Sequence, residues 1–112
     1  MEDSLALARF CRDVAVEGKA IAPVILDLRN LSAFTDFFLI CSAASPPQLK
    51  ALVASLEREV QKVHGLQPRS LQGSPASHWV VVDYGSLLVH IFLEKERAHY
   101  ELERLWGDAP VV

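Results

Sequence analysis

Residues 78–93 read HWVVVDYGSLLVHIFL and consist of two apolar runs on either side of a short turn. The runs cover residues 78–83 and 87–93, with Tyr84-Gly85-Ser86 between them. Apolar runs of strand length around a glycine-containing turn are typical of a β-hairpin. We therefore predict two neighbouring antiparallel strands here and work outward from them.

The two faces of this hairpin differ in chemistry, because side chains alternate along a strand. A two-residue turn gives one aliphatic face, which suits a core covered by helices, and one mixed face. The aliphatic face consists of Val80, Val82, Leu87, Val89 and Ile91, with His78 and Tyr84 at its ends. The mixed face consists of Trp79, Val81, Asp83, Leu88, His90 and Phe92. A three-residue turn would exchange this pairing.

Two interpretations of the mixed face stay open. Large aromatics beside polar groups are typical of a surface that a partner covers. Alternatively, Trp79 closes the core at a sheet edge and its indole N–H is satisfied locally.

Three segments have the apolar spacing of an amphipathic helix. Capping residues, prolines and glycines indicate where they start and stop. In the third helix, we expect Ala98, Leu102 and Leu105 to face inward. The predicted helices run from Asp3 or Ser4 to Gly18, from Ser45 to His64-Gly65, and from about residue 94 to residue 106.

Two further strands are predicted at residues 24–28 and 37–41, and a short edge strand near residues 69–71. Residues 37–41 are continuously apolar, so both faces of that strand should be covered. The order α-β-β-α-(β)-β-β-α predicts an α/β (α+β) fold. We expect one domain over residues 1–112, with a mixed sheet flanked by helices.

The composition is that of a single globular domain. The 112 residues are 51% apolar and 22% charged, with a formal net charge of −3. A mildly acidic chain is a poor candidate for direct nucleic-acid binding, but it could approach a basic protein. The sequence shows neither a targeting segment nor a membrane-spanning stretch, so we expect a cytoplasmic protein without a membrane partner.

The cysteines and histidines form no convincing reactive set. Cys11 and Cys41 lie far apart in apolar surroundings and are predicted to be buried. His90 could pair with His99 at a metal, or with Cys41 as a nucleophile. However, no third ligand joins the histidines, and a thiol in a hydrophobic strand should be inert.

Phosphate-binding motifs are also missing, since the sequence has neither a Walker-type loop nor G-x-G-x-x-G. Asp27 and Asp36 lie near strand ends and could pair as acids, although such positions favour turns and capping. We therefore predict no catalytic residues, no metal site and no cofactor.

Several motifs together resemble the ribosomal silencing factor family, also called RsfS or Iojap-like. The chain departs from the family pattern at Ala43, where a glycine is usual, at Pro46-Pro47 in the helix start, and at Ser86, where an acid is common. The matching motifs are LD at residues 26–27, TDFF at 35–38, Ser45 with Gln48, WVVVDYG at 79–85, VHIF at 89–92 and LERLWGDAP at 102–110.

The resemblance implies a translation regulator without catalytic activity and without a cofactor. Such proteins bind the large ribosomal subunit through its fourteenth protein, block subunit joining during starvation, and are linked to large-subunit biogenesis. It also implies a nucleotidyltransferase-like topology that lacks the catalytic acids. The alternative is a divergent nucleotide-binding or nucleotidyltransferase-like protein, and a homodimer is a further option. The partner-binding residues that we expect are Trp79, Asp83, Tyr84, Gly85, His90 and Glu94.

Overall fold

The computed structural model describes residues 3–31, 35–100, 104 and 107–112, with backbone only at residues 75, 99 and 100. Within these residues the structure has three helices and five strands, and a short 3-10 helix, Pro75–Ser77, precedes the hairpin. No described helix has both the length and the apolar content needed to cross a lipid bilayer. The elements are α1 (Ser4–Glu17), β1 (Ile21–Asp27), β2 (Phe37–Ala43), α2 (Pro46–His64), β3 (Ser70–Ser74), β4 (Trp79–Asp83), β5 (Leu87–Leu93) and α3 (Glu94–Tyr100).

The strands form one five-stranded mixed sheet in the order β1-β2-β5-β4-β3. Strands β2 and β5 are parallel, and the other neighbours are antiparallel. Helices α1 and α2 pack on one face and bury the main core against it. The predicted α+β architecture, a mixed sheet flanked by helices, is confirmed.

The local sequence explains the long helix α2 and the interior strand β2. Ser45 accepts the backbone N–H of Gln48 as the N-cap of α2, prolines occupy the first turn, and Gly65 ends the helix with a left-handed φ of 67°. Every residue of β2 is buried, as expected for a continuously apolar strand in the middle of a sheet.

The hairpin closes with the predicted two-residue turn. The Tyr84 N–H donates to the Leu87 carbonyl at 2.9 Å, which leaves Gly85-Ser86 as the turn. Trp79 is therefore paired with Phe92, and the aliphatic face lies in the main core. Within β4 and β5, both faces have the residues that the sequence predicts, whereas His78 precedes β4.

The C-terminal residues extend the sheet beyond β1. The Asp27 N–H donates to the Pro110 carbonyl and the Val112 N–H to the Ile25 carbonyl, at 2.9 and 3.0 Å. Ala109 is buried in a second apolar cluster on the sheet face opposite α1 and α2. This segment therefore covers the outer edge of β1.

Three strand positions and one helix face differ from the prediction. Strand β2 extends to Ala43 rather than ending at residue 41. Strand β1 starts earlier, at Ile21, because an irregularity with a positive φ at Ala22 lets it continue across Pro23. Strand β3 occupies residues 70–74 rather than 69–71.

The prediction that Ala98 faces inward is wrong. Ala98 is exposed, because Arg97 takes the inward position and donates to the Ile21 carbonyl and the Ser42 hydroxyl, each at 3.0 Å. The predicted helix end at Trp106 and the inward positions of Leu102 and Leu105 lie outside the described residues.

Candidate functional site

Four ring side chains form an aromatic cluster on the sheet face opposite α1 and α2: Trp79, His90, Phe92 and Phe38. The Trp79 ring stacks on Phe92, with centroids 4.9 Å apart and an angle of 18° between the planes. The His90 ring meets Phe38 edge to face at 4.5 Å. The Trp79 Nε1–H donates to His90 Nδ1 at 3.3 Å. The indole is therefore fixed by both stacking and a hydrogen bond.

Burial keeps His90 neutral. The side chain is only 5% exposed, and its burial lowers the pKa from 6.5 to about 4. Because Nδ1 accepts from Trp79, the neutral ring carries its proton on Nε2. Nε2 is buried and has no hydrogen-bond partner among the described residues. His90 therefore supports the indole rather than contributing a surface charge.

Trp79 and His90 of the aromatic cluster line a groove of about 380 Å³, which we call the aromatic groove. Trp79 is half-buried, so part of its ring is accessible from this groove. The prediction that its N–H is satisfied locally is confirmed, and the ring nevertheless stays available for contact. The groove is lined by Gln72, Gly73, Ser77, Trp79, Val81, Leu88 and His90.

Asp83 and Gly85 shape the turn at one end of the hairpin. Asp83 Oδ1 accepts the Gly85 N–H at 2.7 Å, and Gly85 has a φ of 86°, which favours glycine. Asp83 is on the same sheet face as Trp79 but four residues along the strand. Its carboxylate therefore stabilises the turn and also places a negative charge at this end.

The structure does not bring Tyr84 and Glu94 to the aromatic groove. Tyr84 packs against the main core on the helix-covered face, where burial raises the pKa of its hydroxyl. Glu94 is exposed and follows β5 directly, whereas Asp83 is paired with Leu88 at the other end. Six residues of strand separate these ends, about 20 Å at 3.3 Å per residue. Of the six predicted residues, Trp79 and His90 line the aromatic groove, whereas Tyr84 lies on the other sheet face.

The reactive pairs considered from the sequence are not assembled. Cys41 lies in the main core, where burial raises the pKa of its thiol to about 12, whereas His90 lies on the opposite sheet face. Asp27 accepts from the Arg29 guanidinium at 2.7 Å, and Asp36 accepts the Ser4 hydroxyl at 3.0 Å. Asp27 therefore has the local turn role that the sequence favours, since it also accepts the Arg29 N–H, whereas the Asp36 carboxylate makes a long-range contact with α1.

The described residues contain no group of three or more His, Cys, Asp or Glu side chains that could hold a metal. The side chain of His99 lies outside them.

Sequence reasoning missed the contribution of β3 and the 3-10 helix to the groove. Ser77 holds this wall in place, since its Oγ accepts the Ser74 N–H at 3.0 Å and its hydroxyl proton faces the carbonyls of Ser74, at 2.8 Å, and Trp79, at 3.1 Å. Gly73 has a φ of 78°, and a Cβ there would lie 2.1 Å from the Trp79 carbonyl oxygen. The closely spaced glycine and serines of residues 73–77 are the sequence feature that could have indicated this tight turn beside Trp79.

The geometry defines a small α+β protein whose candidate site is an aromatic groove at the edge of a mixed sheet. The chain belongs to the ribosomal silencing factor family: the family model described as "Ribosomal silencing factor during starvation" matches residues 1–112. Members of this family are named for silencing ribosomes, and not for a catalysed reaction.

Individual relatives agree with this assignment. The chain is 42% identical over 94 residues to a ribosomal silencing factor of Halalkalibacterium halodurans, covering 84% of this chain and 80% of that protein. It is 38% identical over 78 residues to "Mitochondrial assembly of ribosomal large subunit protein 1" of mouse, covering 65% of this chain and 33% of that protein. A crystal structure from Chromobacterium violaceum has the same fold, with a TM-score of 0.89 at 24% identity, covering 95% of this chain and 88% of that one.

Proposed function

We propose that this chain binds the large ribosomal subunit through its fourteenth protein, on the face that receives the small subunit. The bound molecule then blocks subunit joining, so translation falls during starvation. Membership of the silencing family supports a ribosomal role, and the name of the mouse relative concerns the large subunit. The same binding would link the protein to large-subunit biogenesis and requires it to be in the compartment that holds ribosomes, the cytoplasm in a bacterium.

The observation that carries this proposal is the half-buried Trp79 in the aromatic groove. Tryptophan is among the commonest energetic anchors of protein interfaces. Its ring is already fixed by Phe92 and His90, so a partner that covers it loses little side-chain entropy. The groove therefore offers a rigid apolar anchor.

Charge supports a basic protein as the partner. The chain has a formal net charge of −3, and Asp83 places a carboxylate at the turn of the hairpin. Ribosomal proteins are generally basic, so attraction should increase the rate of encounter. The same net charge disfavours unspecific binding to RNA.

The proposed mechanism requires occupancy and no turnover. A folded domain on the subunit-joining face excludes the small subunit by volume alone. Inhibition of joining should therefore be stoichiometric with bound protein and should need neither nucleotide nor metal. Sucrose-gradient analysis of purified subunits mixed with increasing amounts of the protein measures this directly.

Binding to purified large subunits tests the site. Trp79→Ala should weaken binding about 30-fold, the effect of losing roughly 2 kcal/mol at an interface anchor. Val63→Ala is the matched control, because Val63 is 58% exposed on α2, which packs on the opposite sheet face. Unchanged binding by a folded Trp79→Ala variant would contradict the assignment.

The charge of Asp83 is tested by a matched pair of substitutions. Asp83→Asn keeps an oxygen that can accept the Gly85 N–H, whereas Asp83→Arg loses this bond and reverses the charge. Both variants should bind more weakly than the wild type, and the weakening should shrink as the salt concentration rises. Equal binding by all three proteins at low salt would exclude a role for this carboxylate.

A further inference from the structure

The two edges of the sheet differ. Residues 110–112 pair with the outer side of β1, so that edge is covered by the chain itself. Strand β3 is the last strand on the other side, and no strand in the described ranges pairs with its outer edge. Its sequence, SLQGS, contains none of the charges or prolines that commonly protect an exposed edge. The outer edge of β3 therefore has backbone groups that can pair with an added strand.

The hydrogen-bond pattern indicates which backbone groups face outward. Tyr84 donates its N–H to β5, so Val81, three residues earlier, directs its backbone groups to β3. Gln72 is paired with Val81 and uses its own backbone groups in that pair. Its neighbour Leu71 consequently turns its N–H and C=O away from the sheet. The Leu71 side chain is also 50% exposed.

A groove lies on each side of this edge. Gln72 lines the aromatic groove on one face of the sheet. Leu71 lines a second groove of about 390 Å³ between β3 and α2, which we call the helix groove. The helix groove is mostly apolar and is lined by Lys50, Val53, Ala54, Glu57, Leu71, Gly73, Ser74 and Val80.

An extended chain fits this arrangement better than a compact surface does. Side chains of a strand added to β3 would alternate between the two faces and so enter the aromatic groove and the helix groove in turn. The chain's own C-terminal segment shows the same mode at the other edge. There, Ala109 packs on the second apolar cluster while Val112 packs on the main core.

We propose that β3 is a strand-addition site, which takes an extended protein segment with apolar side chains at alternating positions. This proposal rests on the proposed function, in which the segment belongs to the fourteenth ribosomal protein. The aromatic groove and β3 share Gln72 and Gly73, so one partner covers both. Backbone pairing then provides affinity and the two grooves provide selectivity.

Leu71→Pro tests the backbone contribution. Proline lacks the N–H, and an edge strand tolerates it where that N–H faces outward. Leu71→Ala is the matched control, because it removes the side chain and keeps the N–H. Relative to Leu71→Ala, Leu71→Pro should weaken binding to purified large subunits about tenfold, the effect of one lost hydrogen bond. Circular dichroism verifies that both variants are folded.

Hydrogen exchange on the wild type keeps the test valid if Leu71→Pro does not fold. The Leu71 amide should exchange about tenfold more slowly when the purified fourteenth ribosomal protein is added. Unchanged exchange in the complex, or equal binding by folded Leu71→Pro and Leu71→Ala, would overturn strand addition. The proposed function would still stand if Trp79→Ala lost binding.

Two other outcomes would also decide the question. Protection of Leu71 that rises with protein concentration, without ribosomal protein, would mean that a second copy of the chain is the occupant, and our choice of partner would be wrong. A wild-type protein that does not bind large subunits would refute the proposed function, and the inference that rests on it would fall as well.

Discussion

Acidification from pH 7 to pH 5 should destabilise the protein by about 2 kcal/mol through His90 alone. Burial lowers the pKa of His90 in the folded state from 6.5 to about 4. Below pH 6.5, His90 becomes protonated in the unfolded chain but stays neutral in the folded chain. Protonation therefore stabilises the unfolded state relative to the folded state. This loss continues until about pH 4, where the folded state is protonated as well, and totals about 3 kcal/mol.

The contact with Trp79 adds a structural reason for this sensitivity. His90 Nδ1 accepts the indole N–H, so protonation of Nδ1 removes that hydrogen bond as well as placing a charge in an apolar site. Asp27 and Glu96 have lowered pKa values, and their stabilising effect is lost only as the pH falls below their ordinary values of 3.8 and 4.5. The interval from pH 7 to pH 5 therefore reports mainly on the histidine.

Urea unfolding at pH 7 and pH 5 measures the effect, and His90→Asn is the control. Asparagine offers an oxygen near the Nδ1 position for the Trp79 N–H and does not titrate. The variant should be less stable at pH 7 because of its smaller volume, but its loss on acidification should be about 2 kcal/mol smaller than that of the wild type. Equal losses in the two proteins would refute a buried neutral His90.

Gln48→Ala should lower the free energy of unfolding by about 2 kcal/mol in urea, because the side-chain amide makes three hydrogen bonds of 2.7 to 3.2 Å that join the end of α1 to the start of α2. Gly65→Ala should cost about 1 kcal/mol, since its φ is positive but no described atom lies within 4 Å of a Cβ. Gly73→Ala should lower the free energy of unfolding several times more than Gly65→Ala, because its Cβ would meet the Trp79 backbone. Equal decreases in the melting temperatures of the two variants would contradict this. Cys11 and Cys41 should resist a thiol reagent at pH 8 until urea unfolds the protein, since burial raises the pKa of each to about 12.

The parts of the fold that the sequence predicts correctly depend on local signals. Ser45 and Gly65 set the limits of α2 through capping, and alternation along residues 78–93 gives both faces of the hairpin. The start of β1 depends instead on Arg97, which donates to the carbonyls of Ile21 and Ala22 from more than seventy residues away. No local pattern reports such a contact.

The candidate site shows the same division. Alternation places Trp79 and His90 on one face, but the burial that makes His90 neutral depends on Phe38, which comes from the parallel neighbour β2. Tyr84 and Glu94 were assigned to the site by resemblance to a family motif. Tyr84 lies on the other sheet face from the groove, because neighbours in sequence point to opposite faces of a strand. Glu94 follows β5 two residues after Phe92, the partner of Trp79, and lies at the opposite end of the strand from Asp83.

The covered edge of β1 has a consequence for assembly. A filament that grows by sheet extension needs two free sheet edges on every subunit, because each subunit must pair with a neighbour on both sides. In the described ranges, residues 110–112 cover the β1 edge of the sheet, and the β3 edge is not covered by another strand. Association through the sheet therefore ends after one partner has been added.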